Sequence, residues 1–358
     1  MHNQQRYMSF PLGSIVPGSL PDFKIFIFSR DSRYVLWSRD GGRVTPEQLA
    51  KLSAAGHHEV FLDLDEEFKY DEYLEDHLGG ILENRLTTDE QKASIFSKVS
   101  TNVVKDAFET SLGLGAMDSK TMVRTQTMVE NALIFIAQSN SIQPLAKMIG
   151  HDYRTYEHAT KVLWFTMAFL RSNPDIFEQV RPDYDSLDDH LRTEVLRHCG
   201  VAALLHDIGK ALVSPDILNK NGRLTETEWE IVKRHPLNGL AMLLDADLPD
   251  FVKKAVLHHH EDFQGGGYPM GFEGLQISML ARVLRIVDTF DAMTSRRPYK
   301  QPVPPLKAMQ IMVGKPPEKE TAPKGKIQDE RDIGMRRCFD EELLRKFIIF
   351  LGDMKLGQ

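Results

Sequence analysis

Cysteine is nearly absent: Cys199 and Cys338 are the pair in 358 residues, too few for a disulfide framework and outside any C-x-x-C spacing. That fits a reducing, cytoplasmic setting. Positive charge is also in deficit. With a net charge of -7, no overall basic field draws the chain to a DNA or RNA polymer. A small phosphate ligand stays open, since a few local cations suffice to hold it. No apolar run reaches the ~18 residues that a membrane-spanning helix needs. The start, MHNQQRYMSF, lacks the charged-then-apolar layout of a signal peptide.

What is present divides into an α/β beginning and a long helical remainder. FKIFIF (23–28), RYVLWS (33–38) and EVFLDL (59–64) are apolar, aromatic and β-branched, as strands are. TPEQLAKLSAAG (45–56) opens with a Thr cap and a Pro at the first helical position. This predicts a β-β-α-β accessory or input domain over 1–65, in which His57 and His58 find no partner at metal spacing. Residues 66–124 read as a helical linker, its first helix broken at Gly79–Gly80, with Asp118 or Ser119 capping the helix that follows. From 125 to 358 helix follows helix, giving an α+β chain whose larger domain is all-α. The charged, Pro-rich stretch 314–332 reads as an insertion before a last helix over 339–352.

The histidines concentrate in the helical part. GVAALLHDIGKALV (200–213) is apolar until it delivers His206 and Asp207, then Lys210. His235 follows TETE (225–228), a Thr and a Glu three apart that suit a capping box. HHHEDFQGGGYP (258–269) adds His259 and His260, LARVLRIVDTFDAM holds Asp288, and His158 opens another apolar helix. Taken singly, a histidine on an apolar helix is more often a hydrogen-bonded core residue than a ligand. Five helices that each present an imidazole or carboxylate at an apolar boundary are hard to explain that way, because such groups are costly to bury unpartnered. Mixed His and Asp donors suit iron, manganese or zinc. They exceed what one tetrahedral ion needs, and a two-metal hydrolytic centre is the simplest chemistry that uses them.

HD…GK at 206–210, HP at 235–236, HHE at 259–261, GYP at 267–269 and DTFDAMTSRRPYK at 288–300, in that order, resemble the HD-GYP family over about 125–352. That family is a subgroup of the HD phosphohydrolases that cleave cyclic dinucleotides, chiefly cyclic di-GMP. The resemblance implies a metal-dependent phosphodiesterase with two divalent ions, iron or manganese. His158, His206, Asp207, His235, His259, His260 and Asp288 would be the metal ligands, with Asp207 bridging. Lys210, Arg297 and Lys300 would meet substrate phosphates, while Gly267 and Tyr268 shape one side of the pocket. Asp207 and Lys210 would carry the chemistry, giving linear pGpG and, by slower second cleavage, GMP.

Three departures stand out. Arg154 occupies the position where family members with a third metal carry Glu, which favours two ions, although Glu157 or Glu261 could reach in. Gln264-Gly265 replaces an Asp-Gly pair, and the 314–332 insertion has no family role. His258 reads as a residue behind the ligands or at the surface, since helix neighbours point about 100° apart. The alternatives are a signalling adaptor that binds a cyclic dinucleotide or a cyclase partner through the GYP loop, and a phosphodiesterase for hybrid cyclic GMP-AMP. Helices such as 89–112 could pair across a homodimer.

Overall fold

The computed structural model describes residues 6–137, 155–220, 222–295, 301–314 and 335–354. Two units are present, one built on residues up to Val99 and the other on residues from Ser100. In the first, strands β1 (Tyr7–Pro11), β2 (Ile25–Phe28), β3 (Tyr34–Ser38) and β4 (Glu59–Asp63) form one antiparallel sheet in the order β1-β4-β2-β3. The register pairs Met8 with Leu62 and Phe10 with Val60, so these four side chains share a face. Phe10, Val60 and Leu62 are buried together with Leu49 and Leu52 of helix α1 (Pro46–Ala54). Thr45 caps α1 reciprocally with Gln48, as its sequence predicts.

Two details differ from the sequence expectation. Strand β1 is additional: YMSFP is short and half-polar, and it becomes a strand by pairing with β4 at the sheet edge. The helical break falls at His77, between α2 (Glu67–Asp76) and α3 (Leu78–Glu83), and Gly79 and Gly80 lie inside α3. A Cβ on Gly80 would meet the methyls of Val16 at 3.3 Å, so that glycine serves close packing.

Helix α4 (Asp89–Leu114) runs through the point where the units divide. The second unit continues with α5 (Ser119–Ala137), α6 (Thr155–Ser172), α7 (Asp189–Leu205), α8 (Glu226–Val232), α9 (His235–Leu243), α10 (Asp250–His258), α11 (Met279–Thr294), α12 (Pro305–Val313) and α13 (Glu341–Asp353). Asp118 caps α5 through the amide of Thr121 at 2.9 Å, and Thr225 caps α8 in a box with Glu228. Helix α6 packs on α7 and α11, and α10 packs on α9 and α11. Beyond Gly314, the 314–332 stretch lies outside the described residues.

Candidate metal centre

Helix α7 is buried and apolar over Val201–Leu205, and its continuation places His206 and Asp207 in the interior, 0% and 1% exposed. The turn that follows touches the start of α9, and only glycine allows it. A Cβ on Gly209 would lie 2.0 Å from the His235 carbonyl oxygen and 2.4 Å from the Gly239 nitrogen. This approach brings His235, the first residue of α9, to 3.2 Å from Asp207 Oδ1. His259, just after α10, stands 3.7 Å from the same oxygen. The other oxygen, Oδ2, faces His206 Nε2 at 3.4 Å and His158 Nε2, from the first turns of α6, at 3.9 Å. Asp288 of α11 closes the ring, 3.0 Å from His158 Nε2 and 4.0 Å from His260 Nδ1.

Hydrogen bonding fixes the tautomers of these rings. His206, His235 and His259 each direct Nδ1 at the carbonyl three residues back, those of Ala203, Val232 and Val256, at 2.7–2.8 Å. A carbonyl can only accept, so each Nδ1 carries a proton, and in the neutral ring Nε2 then presents a lone pair. His158 Nδ1 likewise donates to Asp291 Oδ2 at 2.7 Å. The lone pairs then converge on a carboxylate. His235 Nε2 and His259 Nε2 are 3.1 Å apart. Asp207 Oδ1 and His206 Nε2 are buried with no hydrogen-bond partner among the described residues. Facing lone pairs repel, and a cation among them removes the repulsion. The donor set therefore fits divalent metal. Two groups have donor atoms within 4.8 Å of one another: Asp207 with His235, His259 and His260, and His158 with His206 and Asp207. They share Asp207, one oxygen toward each.

The loop after His260 forms the rim. The Tyr268 ring stacks on His260 with centroids 4.9 Å apart, and the Tyr268 amide donates to the His260 carbonyl at 3.2 Å. A Cβ on Gly267 would fall 2.2 Å from the Asp262 nitrogen, so the loop folds back this tightly only with glycine there. Glu261 does not turn toward the His and Asp donors. Its carboxylate accepts the amides of Met270, Gly271 and Phe272 at 2.6, 3.1 and 3.0 Å.

Residues 184–317 match the family model described as HD domain. The chain is 40% identical over 163 residues to cyclic di-GMP phosphodiesterase PA4108 of Pseudomonas aeruginosa, an alignment covering 45% of this chain and 36% of that protein. It is 41% identical over 111 residues to 3'3'-cGAMP-specific phosphodiesterase 3 of Vibrio cholerae, covering 31% of this chain and 24% of that one. The chain thus spans between a quarter and about a third of these curated relatives. Among solved structures, Bd1817, a HDG"Y"P protein from Bdellovibrio bacteriovorus, shares the fold with a TM-score of 0.59 at 16% identity, over 97% of this chain and 99% of that chain. Residues 184–317 of the helical unit thus carry an HD domain.

Electrostatics of the clustered donors follow from burial set against neighbours. Burial pushes the Asp207 carboxyl up, but Lys210 and His206 outweigh it and hold it well below the usual carboxylate range. Burial also works against Asp288, which His158 and His260 keep well below that range. Burial lowers His259 to about 4 and, with His259 as neighbour, takes His260 well below its ordinary value. Carboxylates that stay charged and imidazoles that stay neutral are the forms that bind metal. Lys210 Nζ sits 2.5 Å from Asp207 Oδ2.

All seven expected ligands come together, with Lys210, Gly267 and Tyr268 beside them; Arg297 and Lys300 lie outside the described residues. Sequence reasoning missed Asp291. Its Oδ1 accepts from Ser295 Oγ at 2.9 Å, Ser295 Oγ accepts from Lys161 Nζ at 3.0 Å, and its Oδ2 orients His158. The available signal was spacing, since Asp288 and Asp291 are three apart on one helix face. Asp262, paired with Arg285 at 2.7 and 3.0 Å, anchors the rim loop to α11 in the same unforeseen way.

Proposed function

We propose that the helical unit is a metal-dependent phosphodiesterase that hydrolyses a cyclic dinucleotide, cyclic di-GMP first, to linear pGpG and more slowly to GMP. The observation that carries this reading is the Asp207 carboxylate, whose two oxygens face separate groups of imidazoles. The names of the relatives, which divide between cyclic di-GMP and 3'3'-cGAMP, supply the substrate class. When bound, two divalent ions, iron or manganese, would activate water near neutral pH and polarise a phosphate oxygen.

The residues of the chain then have separate tasks. His158, His206 and Asp207 hold one ion, Asp207, His235, His259 and His260 the other, and Asp288 reaches both sides. Asp291 and the three backbone carbonyls keep His158, His206, His235 and His259 turned, each with a proton on Nδ1. Lys210, at the edge of the cluster and 17% exposed, offsets charge on the phosphate. Tyr268 walls the pocket over His260, and Arg297 and Lys300 grip the phosphates. The sheet-bearing first unit acts as an input or interaction module.

The test is turnover of cyclic di-GMP and 3'3'-cGAMP by anaerobically purified protein, with metals quantified and Asp207→Ala as control. Linear product formed only by wild-type protein carrying about two ions supports the reading. Full metal loading without cleavage of either dinucleotide overturns it in favour of a binding adaptor.

A further inference from the structure

None of the seven clustered His and Asp residues lines the groove that α10, the loop after Tyr268 and the start of α11 form, a space of about 840 Å³. That volume falls within the roughly 300–1,000 Å³ of small-molecule sites. One stripe of α10, Phe251, Lys254 and His258 at spacings of three and four, makes a wall. Phe272 and Leu275 face it from the loop, and Leu275 is 82% exposed and so open to a ligand. The loop is the one whose amides Glu261 holds, so its apolar side chains are presented on a fixed backbone.

The polar groups of the groove are mostly donors. The Ser278 amide donates to His258 Nδ1 at 3.3 Å, which leaves the proton of the neutral ring on Nε2. Lys254 is exposed and enters no ion pair among the described residues. Arg282 is 8% exposed and gives Nη1 to Asp340 at 2.7 Å, while its Nε and Ser278 Oγ are buried with no hydrogen-bond partner among the described residues. Arg181, also in the lining, is paired with Asp183, and Asp250 is the one acid among the groove residues. A ligand that satisfies such a surface has an apolar body and one anionic head.

We propose that this groove binds an amphipathic anion, a medium-length acyl chain ending in a carboxylate or phosphate. The apolar body lies between Phe251 and Leu275, and the head meets Lys254 and His258. The site stands independently of the phosphodiesterase reading.

The experiment is calorimetric titration of the full chain with dodecanoate, dodecyl phosphate, dodecanol and dodecyltrimethylammonium, all below their micellar concentrations. Either anion is expected to bind at least ten-fold more tightly than the alcohol, with no binding of the cation; whichever anion binds better identifies the head group. Lys254→Glu should weaken the anions roughly ten-fold and leave the alcohol unchanged, whereas Lys254→Arg should restore them. Leu275→Glu should weaken all apolar ligands. Both positions are exposed, so the variants should keep wild-type circular dichroism and metal content. Equal binding of anion and alcohol, no binding at all, or affinity unchanged in both Glu variants would overturn the proposal.

Discussion

In the first unit, one face of the sheet buries Phe10, Val60 and Leu62, Phe10 against Phe23 and Tyr70, and the opposite face carries Tyr7, Phe26, Phe28, Tyr34 and Phe61 in mutual ring contact, Tyr7 and Tyr34 stacked at 4.1 Å. In the second, an apolar core also encloses His158, His206, Asp207, His235 and His259, each no more than 1% exposed. Both regions are packed on apolar side chains, and the second buries a polar cluster as well. Apolar burial stabilises in proportion to area and needs no partner. Polar burial stabilises only when every donor and acceptor is satisfied. The first unit is held by apolar burial, while the second also encloses a donor set that fits a divalent cation.

Four changes would sharpen or break that contrast. The largest effect is expected for Phe23→Ala in the first unit. Phe23 is fully buried, with its ring against Phe10, Tyr70 and Tyr73, and its loss should cost about 3–5 kcal/mol in denaturant titrations with metal content unchanged. A parallel loss of metal would show that the contrast is false.

The next concerns acid. His259 titrates at about 4 in the folded protein against an ordinary 6.5. Below pH 6.5 the unfolded chain takes up a proton that the folded chain refuses until about pH 4. The stability is therefore present above 6.5 and lost as pH falls through that window, by about 3 kcal/mol for a shift of this size. Thermal melts of metal-free protein between pH 7 and 4 should drop accordingly, and His259→Phe should flatten the drop. An unchanged profile in that variant would remove His259 as the cause.

Asp291→Ala should weaken metal binding by roughly 10–100-fold through loss of the group that orients His158, while the circular dichroism stays native. Competition with a chelator measures it, and unaltered retention would reduce Asp291 to packing. Thr225→Ala, which removes the cap of α8, should cost about 1 kcal/mol and leave metal binding untouched; a loss of metal there would extend the site to α8.

Much of the site was legible because its chemistry is local in sequence. An apolar helix ending in His206-Asp207 and a pair His259-His260 beside a glycine loop announce themselves by contrast with their flanks. Asp291 was not legible, since an aspartate on a helix is ordinary until His158, 133 residues earlier, is seen 2.7 Å away. Glu261 read as a possible ligand because it adjoins two histidines, but its backbone direction sends it to three amides of the rim loop. Strand β1 escaped for a related reason: YMSFP has little strand pattern of its own and is held by pairing with β4.

By itself, then, the sequence determined the α+β class, the helical repeat of the larger unit and the residue types gathered at its centre, because periodicity, caps and polar breaks in apolar runs are encoded within a few residues. The tertiary structure alone decided that Asp207 turns one oxygen to each group of imidazoles, that Nδ1 carries a proton in His158, His206, His235 and His259, and that His258 faces a separate groove. Those outcomes depend on backbone carbonyls and close glycine contacts between distant helices, which no local pattern records.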